Sequence, residues 1–420
     1  MQTLAFWRNP HAYLEWCRHR YGNRFTISAI GMAPLVFMSG ASDIKAIVRA
    51  PADVLHPGAG GAAIAPLVGP GSFMLADEEE HLNGRRAILP ALHHRLVREH
   101  AEMVQEIVAG EVAGWPLNVP IGIHPYLRAL TLRVILRTIF GGESPRLHEL
   151  HNRLLAVFSV TDSLILQEPQ LRRVPRWRAA WRRFLREREK VDKLLNGLIE
   201  NGVGSRTAES DLFSMLLGEE NAHGSRHDSN HVRETLMSVI LAGHETTASQ
   251  LAWAFQLLAH NQTVLRRLLE EIDEGGERYL TATIQEVLRH RPVFLFTIPR
   301  VVRQPFEVGG TTYRPPVQLA GCIHLMHHDA ALYDEPHRFC PERFLGVAPN
   351  PEHWMPWGGG RKRCPGHHLA MLEMQTILRV VLSCFEIGPA GKTVETGRWR
   401  SVIVTPGRGS RIVLRHRRIN

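Results

Sequence analysis

Cysteine is scarce in this 420-residue chain, and the little there is lies scattered. Cys17, Cys322, Cys340, Cys364 and Cys384 are odd in number and include no CxxC pair. That excludes a disulfide framework and a structural zinc site, and it points to a reducing, cytoplasmic compartment. Long apolar runs are missing too. No stretch approaches the roughly 18 to 20 apolar residues that span a bilayer, so no transmembrane anchor is expected. The start, MQTLAFWRNP, has no basic leader, apolar core or small-residue cleavage site, so no signal peptide is expected. Internal repeats, low-complexity tracts and clear linkers are absent, which favours one large domain over residues 1–420. The composition, 44% hydrophobic and 22% charged, supports a sizeable core.

Acidic residues are the minority, 41 against 50 Lys and Arg, for a formal charge of +9. The excess is concentrated in LRRVPRWRAAWRRFLREREK, Leu171 to Lys190, with nine basic and two acidic residues around Trp177 and Trp181. Such a stripe can bind a membrane surface or nucleic acid. The plainer reading, preferred here, is a solvated face of an arginine-rich helix. Nothing else resembles a nucleic-acid module, so no nucleic-acid partner is expected.

Helical patterns dominate what is present. Apolar spacing predicts helices over Val97–Val112, Leu127–Phe140 and Ser229–His260. Phe25–Ile30 and Leu35–Ser39 read as a β-hairpin around GMAP, and FEVGGTTYRPPVQLAG as a second one turning on Gly309 and Gly310. Pro336–Gly366 reads as a long irregular segment, which in a compact chain has a functional reason. GAGGAA at Gly58 mimics a dinucleotide fingerprint, but no preceding strand or following acid supports it. A flexible loop over the active site is expected there.

The segment PWGGGRKRCPGHHLA, Pro356 to Ala370, sets one cysteine behind three glycines and among Arg361, Lys362 and Arg363. A helix starting at Pro365 or Gly366 would aim free N–H groups at the sulfur, and three cations beside it would favour the thiolate. A thiolate so placed is a nucleophile, a zinc ligand or an axial haem ligand. No second cysteine is near for zinc, and CPGHH is not the CxxCH of covalent haem attachment.

The stretch resembles the cysteine-ligand loop of the cytochrome P450 family, in which an aromatic residue, glycines, a basic residue, Cys and Gly fall at fixed spacing. Trp357, Gly358, Gly360, Lys362, Cys364 and Gly366 occupy those places. The family usually has Phe where Trp357 stands, and Arg or His where Lys362 stands. Other landmarks match in order. QEVLRHRP supplies Glu286 and Arg289, which the resemblance pairs with Arg343 of a PERF segment to brace the loop. LAGHETTASQLAWAF is not a zinc HExxH motif, because Ala248 stands where the second His is needed. It resembles the family's oxygen-binding helix through Ala242, Gly243, His244, Glu245 and Thr246. The small Ala-Gly pair leaves room above a haem, and Thr246 can bond the Ala242 carbonyl one turn back. His81 and Arg85 of EHLNGRRAILPALH, Arg300 of FTIPRVV, and Lys362 resemble the residues that hold haem propionates. His327 and Asp329 of MHHDA match a further landmark and read as structural.

The resemblance implies a mainly α fold with small β-sheets, the cytochrome P450 fold of the soluble bacterial type, acting as a monomer. It implies haem b on Cys364, and insertion of one oxygen atom from O₂ into an apolar small molecule such as a terpenoid, steroid or fatty acid. Thr246 and Glu245 would be catalytic, with Glu245 turned around the helix to relay protons from solvent. NAD(P)H-derived electrons would arrive through a separate ferredoxin or flavodoxin, docking at a basic proximal face around Arg361 and Arg363. A peroxide-driven enzyme ranks lower because Glu245 and Thr246 are both present, and a non-catalytic haem sensor lower still. Leu55–Ala76, Ala156–Gln167 and Val293–Thr297 are expected to line the pocket, with Ala242, Val293, Phe294 and Phe296 as contact candidates.

Overall fold

Thirty-two residues from Ser229 to His260 form one helix, begun by Asp228, whose side chain accepts the Asn230 N–H at 3.3 Å. Its bounds are those the spacing predicts. From Thr247 to Ala259 every residue is buried, so this half is apolar all round and runs through the interior. The computed structural model that shows this describes residues 2–28, 33–162, 165–166, 169–202, 211–218 and 228–417.

Helix His124–Phe140 packs against the central helix. It opens three residues earlier than predicted, with Pro125 in its first turn, where a missing N–H costs nothing. The Thr131 hydroxyl donates to the His244 carbonyl across the crossing at 3.0 Å. Gly243 sits at the same crossing, where an added Cβ would lie 3.0 Å from Ile135 Cδ1. The glycine is therefore a close-packing device between helices, while Ala242 beside it is open to the cavity described below. Val97–Val112 is two helices rather than one, His94–Glu99 and Ala101–Val112. The break is at His100, whose N–H bonds the Val97 carbonyl three residues back at 3.2 Å.

A five-stranded sheet takes the strands in the order Arg24–Ile27, Leu35–Met38, Gln318–Gly321, Arg300–Val302, Leu55–His56. The first hairpin is seen with Phe25 opposite Phe37, and Leu35–Met38 pairs in parallel with Gln318–Gly321. Residues 30 and 29 of its predicted first arm lie outside the described residues. The second hairpin pairs Phe306–Val308 with Thr311–Tyr313 across Gly309 and Gly310. A third, Gly397–Arg400 with Ile403–Pro406, was not expected from the sequence.

The GAGGAA segment is a run of short helical turns, Pro57–Gly60, Ala62–Ile64 and Ala65–Val68. A Cβ at Gly60 would collide with the Pro299 carbonyl. Close backbone approach, rather than the flexibility expected, explains glycine there. Pro336–Gly366 is irregular as predicted, apart from 3₁₀ turns at Pro341–Phe344 and Gly360–Lys362. Among the described residues no helix is long and apolar enough to cross a membrane.

Candidate active site

The loop ahead of Cys364 closes on itself. Cys364 N–H donates to the Trp357 carbonyl at 2.8 Å, and Gly358 N–H to the Met355 carbonyl at 3.0 Å. Gly360 has φ +63°, and a Cβ there would strike the Val48 carbonyl, so only glycine fits. Helix His367–Cys384 starts just beyond, with Gly366 as its cap. The Gly366 N–H bonds the Cys364 sulfur.

The expectation of a thiolate favoured by three flanking cations needs correction. Burial pushes the Cys364 thiol up, and the Gly366 N–H, Arg85 and Arg363 only oppose that rise. Arg361 is exposed, and Lys362 turns away to donate to the carbonyls of Ala76 at 2.8 Å and Met74 at 3.3 Å. A buried thiol of this kind ionises when a metal takes the sulfur. Among the described residues no hydrogen bond joins the Trp357 indole to the sulfur. Its ring lies 6.3 Å from that of His367 instead.

A buried ion network braces this loop from behind. Glu286 and Arg289, one turn apart on helix Arg278–His290, are fully buried and bonded at 2.7 and 2.8 Å. Arg343 Nε reaches the same carboxylate at 3.4 Å, and Cys340 N–H at 2.9 Å. Arg289 also donates to the carbonyls of His327 at 2.6 Å and Pro336 at 2.9 Å. His327 in turn accepts the Met355 N–H on Nε2 at 2.9 Å, linking the brace to the cysteine loop.

Cys364 lines a cavity of about 300 Å³. Ile64, Leu67, Phe73, Val293, Phe294 and Phe296 contribute to its walls, with Ala242 and Thr246 from the central helix. None of the described residues of 156–167 lines it, contrary to expectation. Phe158 packs instead on the buried His244 ring, 5.0 Å away. Residues 163, 164 and 167 lie outside the described set.

Four predicted donors converge on the same cavity: His81, Arg85, Arg300 and Lys362. His81 is held by the carbonyls of Phe73 at 2.9 Å and Arg361 at 3.3 Å, and Arg85 donates to Arg363 O at 2.6 Å. Burial pulls Arg300 down to about 10 and Lys362 down to about 8. The carboxylate that acts on both is Asp77, which already accepts the Gly58 N–H at 2.7 Å. Arg300 Nε is buried with no hydrogen-bond partner. Buried cations short of counter-charge, beside a lone cysteine, are what a flat dianionic metal-bearing group would satisfy. The residues present fit haem.

On the central helix the Thr246 hydroxyl donates to the Ala242 carbonyl at 2.6 Å. Glu245 does not face solvent, so the expected relay from solvent is corrected. It is buried against Arg128 Nε at 2.8 Å, with Arg400 at 3.6 Å and His124 at 3.7 Å. One residue along a helix is a 100° rotation, which brings the Glu245 carboxylate against Arg128 of helix His124–Phe140, at the edge of the cavity that Thr246 also lines.

Sequence reasoning missed Arg128, Arg400 and Glu373. Arg128 had a signal, a guanidinium set among Leu127, Leu130 and Leu132 on the apolar first half of its helix, which calls for a buried acid. Arg400 had none, because its hairpin was not foreseen. Glu373, on the helix after Cys364, lines the cavity with Oε2 unpartnered, and burial pushes its carboxyl well above the usual range.

A family model described as Cytochrome P450 matches residues 1–410. The protein named cytochrome P450 135B1 of Mycobacterium tuberculosis is 32% identical, over 99% of this chain and 89% of its own length. Cytochrome P450 137 of the same organism is 34% identical, over 94% and 84%. Among solved structures, the retinoic acid-bound cyanobacterial CYP120A1 superposes with a TM-score of 0.83 at 21% identity, over 96% of this chain and 94% of that one. The cytochrome P450DA heme domain gives 0.80 at 20% identity, over 97% and 93%.

Proposed function

The chain belongs to the cytochrome P450 family, and from that premise we propose that this monooxygenase inserts one oxygen atom from O₂ into an apolar natural product. The observation that carries this reading is one apolar cavity shared by Cys364, uncompensated cations and the Thr246 hydroxyl. Cys364 would ligate the haem iron, and His81, Arg85, Arg300 and Lys362 would take its two carboxylates. Haem held there supplies O₂ activation and oxygen-atom transfer.

The protein's own groups do the rest. Ile64, Leu67, Phe294 and Phe296 exclude bulk water and favour an apolar substrate. Thr246 keeps a hydroxyl proton at the cavity wall, parked on the Ala242 carbonyl. Glu245 would resupply that proton only by leaving Arg128, so the ion pair gates delivery. Electrons would come from a separate acidic ferredoxin or flavodoxin, a fit for the exposed Arg361 and Arg363 of the cysteine loop. The enzyme would act as a monomer in the cytoplasm.

Cys364→Ala tests the reading at its centre. The variant should lose the red-shifted Soret band of the ferrous carbon monoxide complex, which a haem held through a thiolate would give. Retention of that band would remove Cys364 as the ligand.

A further inference from the structure

We propose that the arginine face of helix Pro175–Gly202 is a docking surface for an anionic lipid bilayer. At 100° per residue, Trp177, Trp181, Phe184, Arg188 and Val191 share one side of this helix, and the last three are buried. The opposite arc carries Arg176, Arg178, Arg182, Arg183 and Arg186, all exposed, with exposed Arg173 just before it. Among the described residues none of these six forms an ion pair with a carboxylate. Farther along the same helix the charges balance, Lys190 with Glu187 at 2.9 Å and Lys193 with Glu189 at 2.8 Å.

The arrangement works against the helix itself. Its first turn holds no acidic residue, so the guanidinium groups crowd the positive end of the dipole. A face needed only for solubility gains from interspersed carboxylates. An unbalanced one points to an external polyanion.

Two features favour a bilayer over nucleic acid. The rings that would stack on bases are turned inward, Trp181 lying 4.9 Å from Phe184 and capped by Arg172 at 4.0 Å. Exposed Val174 and Leu185 stand among the arginines instead, 45% and 47% accessible, as suits the headgroup boundary. The position is also apt. Arg188 donates to the Leu67 carbonyl, and Leu67 lines the cavity. A bilayer here would lie beside the cavity wall and offer dissolved apolar compounds. That last consequence rests on the proposed substrate class, whereas binding itself does not.

The test is co-sedimentation of the haem-loaded enzyme with vesicles, either phosphatidylcholine alone or phosphatidylcholine with an equal part of phosphatidylglycerol. Binding is expected only to the mixed vesicles at about 0.1 M salt and lost near 1 M, where screening is short-ranged. Each arginine near such a surface is worth about fivefold in partitioning, so Arg178→Gln with Arg182→Gln and Arg186→Gln should lower it about 100-fold. The corresponding Lys triple should keep it. Ala179→Glu with Ala180→Glu, which improves the charge pattern of the helix, should also weaken binding about 25-fold or more. A control triple elsewhere, Lys392→Gln, Arg398→Gln and Arg415→Gln, should leave binding within twofold. No binding to mixed vesicles would overturn the proposal, as would equal losses in the control triple. So would a DNA duplex bound through these arginines when vesicles are not. Failure of Cys364→Ala to lose its spectrum would strike the haem reading and leave this one standing.

Discussion

Replacing Glu286 by Gln should cost about 3–5 kcal/mol, the scale for removing one partner of a buried charge pair. The magnitude follows from what the carboxylate does. It accepts four donors, Arg289 Nε and Nη2, Arg343 Nε and the Cys340 N–H, at 2.7 to 3.4 Å. An amide keeps one acceptor and turns an NH₂ toward the others, so the fully buried Arg289 loses its counter-charge. The loss is a large part of a typical 5–15 kcal/mol stability. It should also reach the site, because Arg289 holds the His327 carbonyl and His327 holds Met355. The assay is urea unfolding of the holoprotein, followed by Soret absorbance and far-UV dichroism, with haem loss to an acceptor protein measured in parallel. Arg338→Gln is the comparison. Its pair with Glu335 has both side chains more than half exposed and screened by water, so its loss should leave the urea midpoint nearly unchanged. A double-mutant cycle with Arg289→Met should give a coupling of about 2–3 kcal/mol. Equal effects at Glu286 and Arg338, or strict additivity in the cycle, would refute the reasoning.

Thr246→Ala should keep haem, the carbon monoxide spectrum and substrate affinity, yet divert NAD(P)H consumption toward hydrogen peroxide, while Thr246→Ser keeps more coupling. An unchanged ratio of product to NAD(P)H would mean the hydroxyl is not the proton donor. Stability should fall on acidification. Burial holds His327 at about 3 and holds His11, His124, His244, His290, His324 and His328 below 6.5. A base depressed in the folded state stabilises above its unfolded pKa of about 6.5 and loses that contribution as pH drops toward the folded value. His327 alone should cost on the order of 1 kcal/mol at pH 5.5, the others adding in the same direction, against Glu373, whose raised carboxyl pulls the other way. A urea midpoint that is flat from pH 7.5 to 5.5 would contradict this. Arg361→Glu or Arg363→Glu should slow reduction by an acidic ferredoxin and weaken its salt dependence without altering substrate binding. Reduction rates independent of salt would remove that docking face.

Much of the molecule was legible in one dimension, where the physics is local. The central helix carries its own cap and periodicity, so its bounds from Ser229 to His260 could be read directly. The two hairpins are marked by alternation and by the turn at Gly309 and Gly310. The cysteine loop and the Glu-Arg pair are contiguous motifs, and Thr246 needs only helical geometry to reach Ala242. Other features depend on what lies across the fold. Cys364 ionisation is decided by burial against a few charges, and only folding shows that Lys362 turns to the Ala76 carbonyl while Arg85 comes near from another helix. Whether Glu245 meets water or Arg128 depends on the neighbour packed on that side of the helix, more than 100 residues away. Gly58 and Gly60 look like flexibility until the Leu75 and Pro299 carbonyls are brought against them. Sequence determined the chemistry available at the site, because side-chain identity and helical spacing travel with the chain. Tertiary structure decided which of those groups are charged, paired or open to the cavity, because desolvation and Coulomb energy depend on distances that the chain sets only by folding.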